Sequence, residues 1–308
     1  MNPPHPRNRI WAYLALGVGI LSLGMTAMFV RWANAPGAVT GFYRLAIATA
    51  LTAPLFIHRR RAEGRVPSRH VLIPLLGGLF AAGDFALWNT SVLYTTASNA
   101  TLLGNTAPLW VALAAILFFR ERLRLDFWLG LALALTGAVF IVGRDFLLHP
   151  SLGLGDLMAC GAAVFYAAYM LTTQHGRAKL DVFTYWWLAS LSASVGLLVI
   201  SLVMGYSVTG YPSQSWIVFL ATAVVSQIIG YMSISYALGH LPASIVSPTL
   251  IGQPIVTTIL AIPLLGELPG PFQVIGGLVA LVGIYLVNQS HARAQTRQVL
   301  ESSSPTSG

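Results

Sequence analysis

The sequence predicts an all-α integral membrane protein: ten transmembrane helices in two five-helix repeats of inverted topology around a central cavity. Three observations carry that expectation. Of 308 residues, 56% are hydrophobic and 8% are charged, whereas soluble domains carry about a quarter charged residues. The apolar residues fall in successive stretches of about 20, the length that crosses a hydrocarbon core of roughly 30 Å. Finally, residues 97–142 align without a gap on 243–288 when the chain is shifted by 146 positions.

Taken in order, the spans are read as 11–32, 38–57, 71–93, 98–119, 126–142, 155–173, 183–204, 215–238, 243–265 and 271–288. The start "MNPPHPRNR" leads into an apolar run with no small-residue cleavage site, so the first stretch reads as a retained span. Ser98 and Ser244 head the fourth and ninth spans, where a hydroxyl can cap free backbone N–H groups. The longest polar connection is "HRRRAEGRVPSRH" at 58–70. Cationic residues then set the orientation, because loops facing the cytoplasm retain lysine and arginine. With the N-terminus inside, the inside segments hold all of the 17 lysines and arginines except Arg31, Arg44 and Arg144. Both termini are expected in the cytoplasm. The net charge of +8 is thereby a topological signal. The arginines sit between apolar runs and form no extended basic face, which excludes nucleic acid as a partner. The single cysteine, Cys160, lies inside an apolar helix and excludes an intrachain disulfide.

The repeat divides the chain into 1–148, 149–292 and a polar tail, 293–308. Pro108, Glu121, Gly130 and Gly137 recur in register as Pro254, Glu267, Gly276 and Gly283. Each half holds five spans. Five is odd, so the second copy enters the membrane from the opposite side, as in the inverted repeats of many secondary transporters. The loops agree: "RERLR" around Glu121 keeps its arginines, while "GELPG" around Glu267 has none. Both glutamates read as helix-ending residues. The GxxxALxG faces of Gly130 and Gly137, and of Gly276 and Gly283, read as small surfaces for close helix packing in lipid.

Two five-helix halves, a proline in the fourth helix of each, a glutamate closing that helix and a glycine-rich fifth helix resemble the EamA-type transporters of the drug/metabolite transporter superfamily. The resemblance covers about residues 10 to 290. Within the superfamily the chain looks most like the YddG-type exporters of aromatic amino acids and paraquat. What the resemblance implies is a ten-helix bundle with a cavity between its halves, exporting amino acids or similar zwitterionic or cationic metabolites across a bacterial inner membrane by alternating access. It implies no cofactor. Oligomeric state is left open.

The residues offer candidates for such a site. Asp84, in "AAGDFALWNTS", is the one carboxylate well inside a span, and Trp88 follows it at i+4 on the same face. Intramembrane acids face a cavity or a partner. Asp84 could therefore hold a substrate ammonium, aided by cation–π contact with the aromatic, exchange a proton, or pair with Arg44 or Arg31. Arg44 could grip a carboxylate through two parallel hydrogen bonds or reach to headgroups, with Tyr43 beside it. Pro108 and Pro254 break the fourth and ninth spans, with Asn105 in one half and Thr249 and Gln253 in the other standing near them. Tyr166 and Tyr169, Trp186, and Gln227 with Tyr231 complete the inward-facing candidates by helical spacing.

The main competing class is an intramembrane aspartyl protease using Asp84 and Asp156, because "GLGD" at 153–156 matches a sequence that such enzymes carry. Two carboxylates sharing one site are what that chemistry needs. An exporter of another metabolite or drug class is the alternative within the transporter reading. No HExxH or P-loop pattern is present, so neither zinc nor ATP chemistry is indicated.

Overall fold

The computed structural model describes residues 6–64, 66–94, 103–121, 123–142, 153–265 and 270–303. Among them every regular element is helical. The first half comprises α1 (Pro6–Gly24), α2 (Thr26–Ala33), α3 (Gly37–Glu63), α4 (Ser68–Tyr94), α5 (Ala107–Phe119) and α6 (Leu125–Val142). The second comprises α7 (Leu154–Arg177), α8 (Val182–Val203), α9 (Ser213–Thr222), a π-helix over Ala223–Tyr231, α10 (Met232–Leu238), α11 (Ala243–Thr249), α12 (Gly252–Leu265) and α13 (Pro271–Ser303). Among the described residues six stretches are long and apolar enough to cross a membrane, and four shorter apolar helices stand where the first, fourth, fifth and tenth spans were expected.

The first, eighth and last spans differ from the sequence reading, as do the fourth and ninth. The first is broken at Met25, between α1 and α2. There the free carbonyl of Gly24 accepts the Thr257 hydroxyl at 2.9 Å, so the break is satisfied by the other half. The eighth span, read as one α-helix, contains nine residues of π-helix, a wider turn that often marks functional positions. Nothing in "AVVSQIIGY" forbids an α-helix, so the wider turn is set by packing. Its Ser226 hydroxyl meets that of Thr26 at 2.8 Å, beside the break in the first span. The last helix continues to Ser303, past the expected end at 288.

The expected breaks at the prolines fall at helix starts. α5 begins at Ala107, so Pro108 sits in its first turn, behind a turn at Asn105–Thr106. α12 begins at Gly252, so Pro254 also sits in a first turn, behind a turn at Leu250–Ile251. A first-turn proline forfeits no helical hydrogen bond, whereas its ring crowds the carbonyl four residues back. Each span therefore divides just ahead of its proline.

The glycine faces do pack. The nearest atoms to a Cβ placed on Gly130 include the Gly283 carbonyl oxygen, and to one on Gly137 the Gly276 carbonyl oxygen. α6 and α13 thus cross antiparallel with backbone against backbone. α4 and α7 also run antiparallel, Gly83 lying against Phe165 and Gly161 against Leu87.

Polar contacts tie the two halves at the arginine-rich end. Arg59 and Arg60, at the end of α3, lie 3.7 and 3.9 Å from Asp181. Asp181 is the N-cap of α8 and accepts from the backbone N–H groups of Phe183 and Thr184. Burial alone pushes its carboxyl upward, but the hydrogen bonds from Thr184 and the arginine charges bring it below the usual range. Gln174 of α7 accepts from the backbone N–H of Ala243 at 2.6 Å, capping α11 from outside.

Candidate functional site

Arg44 lies on the third turn of α3, well inside the span, and is 5% exposed. Its guanidinium stands 4.3 Å from the centre of the Phe85 ring and 5.4 Å from that of Tyr231. Cation–π attraction of this kind strengthens when water is excluded. Two of its nitrogens, Nε and Nη2, are buried and make no hydrogen bond. These two point along one edge of the guanidinium as parallel donors, the edge that matches the two oxygens of a carboxylate.

The surrounding side chains come from four further elements. Phe85 belongs to α4, Tyr166 and Tyr169 to α7, Trp186 and Ser190 to α8, and Gln227 and Tyr231 to the π segment. The rings are mutually packed: Phe85 meets Tyr231 edge-to-face at 6.1 Å, Tyr231 meets Tyr169 at 6.1 Å, and Tyr166 stacks on Tyr169 at 6.2 Å. Phe85, Tyr169, Trp186, Ser190, Gln227 and Tyr231, with small and apolar residues of α3, α4 and α8, line a cavity of about 10 Å³, room for one water molecule. A larger guest requires the walls to part. Trp186 is 1% exposed and its ring N–H donates to the Gln227 carbonyl at 3.1 Å. The Gln227 side-chain amide donates through Nε2 to Ser190 Oγ at 3.0 Å, and its Oε1 is buried without a partner.

Asp84 precedes Phe85 on α4 and is half-buried. Its carboxylate and the Arg44 guanidinium interact through space, but among the described residues no ion pair within 4 Å joins them. The expected pair with Arg44 is thus absent as a direct contact, while the alternative pair with Arg31 lies outside the described side chains. One turn further, Trp88 packs on Gly104, next to Asn105, whose Nδ2 is buried without a partner. The break in the fourth span therefore adjoins the Asp84 side of the cluster.

Other candidates lie elsewhere. The Tyr43 hydroxyl donates to the Val208 carbonyl, and its ring stacks on Phe219 at 4.9 Å and meets Trp216 at 4.8 Å. Tyr43 belongs to an aromatic cluster on a different face of α3. Its neighbour Arg44 turns inward because adjacent helical residues point about 100° apart. Thr249 donates to the Ile245 carbonyl and accepts from Asn288 of α13. Gln253 and Pro254 are half-buried and stand outside the cavity lining. Trp187, next to Trp186, stacks on Phe56 at 3.9 Å and donates to the Thr49 carbonyl. Phe85 and Ser190 were not among the candidates. Ser190 could have been found one turn after Trp186 on the same face; nothing in the sequence distinguishes Phe85 from its apolar neighbours.

Glu121 also gains a partner. Arg120, in the left-handed region at φ 53°, ends α5, and the Glu121 carboxylate accepts the Ser244 hydroxyl at 2.9 Å across the two halves. Ser98, Arg144 and Glu267 lie outside the described residues.

The aspartyl-protease arrangement does not form. Asp156 is 2% exposed and accepts the Gly153 N–H at 2.8 Å, closing the first turn of α7. Given the antiparallel register of α4 and α7, Asp84 lies level with residues near 164, roughly 12 Å along the axis from Asp156 at about 1.5 Å per residue. Two carboxylates so placed cannot share a proton.

Residues 10–143 and 153–289 each match the EamA-like transporter family. The chain belongs to the EamA-like transporter family. It is a multi-pass membrane protein of a transporter family, not of an enzyme family. Its relatives include an uncharacterized transporter of Methanothermobacter thermautotrophicus, 26% identical over 91% of this chain and 86% of that one. A protein of Streptantibioticus cattleyicolor named "Probable terminal-alkyne amino-acid exporter" is 28% identical over 79% and 80% of the two chains. The pseudopaline exporter of Pseudomonas aeruginosa is 28% identical over 70% and 74%. A crystal structure of another protein matches with a TM-score of 0.77 at 18% identity, covering 93% of this chain and 99% of that one. That likeness concerns the fold alone.

Proposed function

We propose that this EamA-family transporter exports a small zwitterionic metabolite, an α-amino acid or a close derivative, from a bacterial cytoplasm across the inner membrane. The single observation that carries the reading is the parallel donor edge of Arg44, buried, unpaired and set among aromatic rings. Leaving buried charged donors unmatched is costly, and a carboxylate is the group that matches them. Asp84, within electrostatic reach of Arg44 and without a direct ion pair to it, supplies the opposite charge for an ammonium. The exporter names of two relatives and the likeness to YddG-type exporters of aromatic amino acids support the same class of cargo.

Movement follows alternating access, with the two halves parting around the cavity lined by Phe85 and Tyr231, the rings on which Arg44 lies, from one side and then the other. The arginine-rich end, carrying Arg59–Arg61 and Arg120, faces the cytoplasm on the positive-inside bias. In the closed arrangement described, the cavity is too small for cargo, so loading from the cytoplasm requires the Glu121–Ser244 and Asp181–arginine contacts to separate.

Counterflow of labelled amino acids in proteoliposomes tests this directly, with and without a pH gradient. The wild type exchanges leucine, phenylalanine or both, competed by other zwitterions but poorly by their methyl esters. Arg44→Gln abolishes exchange, and Asp84→Asn reduces it at least tenfold, in protein whose melting in detergent is unchanged. Undiminished exchange in Arg44→Gln would remove the basis of the proposal.

A further inference from the structure

Beside the Arg44 donors there is a second unmatched group, an acceptor on a residue that lines the cavity. Gln227 is 4% exposed, and its Oε1 has no hydrogen-bond partner. It is not a loosely held side chain. Its Nε2 is held by Ser190 at 3.0 Å, and its own carbonyl is held by the Trp186 ring N–H at 3.1 Å. Both ends of the residue are thus fixed by α8, and the one free atom belongs to a residue that lines the same cavity as Tyr231, over which Arg44 lies. Buried amide oxygens are ordinarily paired, and each exception calls for an explanation. The donor edge of Arg44 does not supply it, since both groups remain unmatched.

We infer that Gln227 is the specificity residue for the amino end of the substrate: its Oε1 accepts an N–H from the nitrogen next to the carboxylate held by Arg44. The inference rests on the carboxylate-binding reading of Arg44 and adds what that reading leaves open, how a plain carboxylic acid is refused. A carboxylic acid lacking the amine would satisfy Arg44 while leaving Oε1 buried and dry. Sites built to hydrogen-bond a substrate group reject analogues lacking it far more strongly than apolar pockets reject a missing methylene. Because the acceptor is neutral, one N–H suffices. N-methylated amino acids, whose ammonium retains two, remain substrates. Ser190 acts as a positioning residue, since without it the amide is free to turn.

The test is competition in proteoliposomes against labelled leucine counterflow, using unlabelled leucine, N-methylleucine and 4-methylpentanoate. In the wild type, leucine and N-methylleucine compete at least tenfold better than 4-methylpentanoate. Gln227→Met keeps the volume and removes the acceptor; the preference falls to about twofold or less, chiefly through loss of leucine affinity. Gln227→Glu keeps an acceptor oxygen and retains the preference. Ser190→Ala lowers it partially, which provides a second reading should Gln227→Met fold poorly by its melting curve. A preference that survives Gln227→Met, falls equally for all three competitors, or disappears in Gln227→Glu overturns the inference and leaves Gln227 a tie between helices. If no amino acid exchanges in the wild type, the exporter reading itself fails, and this assignment falls with it.

Discussion

Replacing Gly283 by alanine tests the packing on which the bundle is built. A Cβ at this position would stand 2.3 Å from the Ala134 backbone N, 2.6 Å from the Gly130 carbonyl oxygen and 2.7 Å from the Ala134 Cα. Ordinary contact begins near 3.4 Å, so the added methyl is about 1 Å too close to three atoms, all backbone. No rotamer change relieves it, and α6 and α13 must separate by about that distance. Inserting a carbon into a packed interface costs about 1–3 kcal/mol; here the upper part of the range applies, because the contact recurs at Gly137 with 2.4 Å to the Ala280 N. The measurement is thermal unfolding of the purified protein in one detergent, with Gly17→Ala as the control. A Cβ on Gly17 would have nothing within 4 Å, so alanine there leaves stability equal or raised by up to about 1 kcal/mol through helix propensity. Gly283→Ala is expected to melt several degrees lower than Gly17→Ala. Equal melting of the two would refute the close antiparallel crossing of α6 and α13.

Three further outcomes follow from particular contacts. Tyr43→Phe removes the hydroxyl donated to Val208 and lowers stability by about 0.5–1.5 kcal/mol, while leaving competition by amino acids in counterflow unchanged; a large affinity change would return Tyr43 to the substrate site. Asp181→Ala costs about 1 kcal/mol as a lost N-cap, measured by the same melting assay, whereas Asp181→Asn costs less because asparagine also caps. As the folded carboxyl lies below its unfolded value, its contribution is complete above the unfolded pKa near about 3.9 and is lost only as pH falls through the folded value. Melting should therefore show no Asp181-dependent change between about pH 5 and 8. Glu121→Gln and Ser244→Ala weaken one contact between the halves and are expected to raise the reactivity of a cysteine placed at position 243 toward a membrane-impermeant reagent applied from the arginine-rich side. Unchanged reactivity would deny that contact a part in closing the bundle.

The spans, the duplication and the family resemblance were legible because bilayer thickness and the positive-inside bias act directly on composition. Arg44 and Asp84 stood out for the same reason: charge inside an apolar run is visible without a structure. The company they keep was not. Phe85 is one apolar residue among many, and only the register of α4 against α3 and the π segment sets it on Arg44. The π-helix itself has no local signature, since its wider turn is settled by the first span and α8. Prolines located the breaks in the fourth and ninth spans but not their position, which falls at the turns preceding Pro108 and Pro254. Tyr43 packs apart from Arg44, since adjacency in sequence places residues on different helix faces. Glu121 was legible as a helix end, whereas its bond to Ser244 depends on a contact between halves that no local pattern encodes.

The central claim is that Arg44 holds a carboxylate. Equilibrium competition by leucine and by leucinamide, which keeps the amine and loses the carboxylate, tests it most directly in wild type and Arg44→Gln. Hydrogen bonds to a charged group are worth about 1.5–3 kcal/mol, or roughly ten- to a hundredfold. The wild type should prefer leucine by at least tenfold, and Arg44→Gln should bind the two alike. A preference for leucine that persists undiminished in Arg44→Gln would contradict the account.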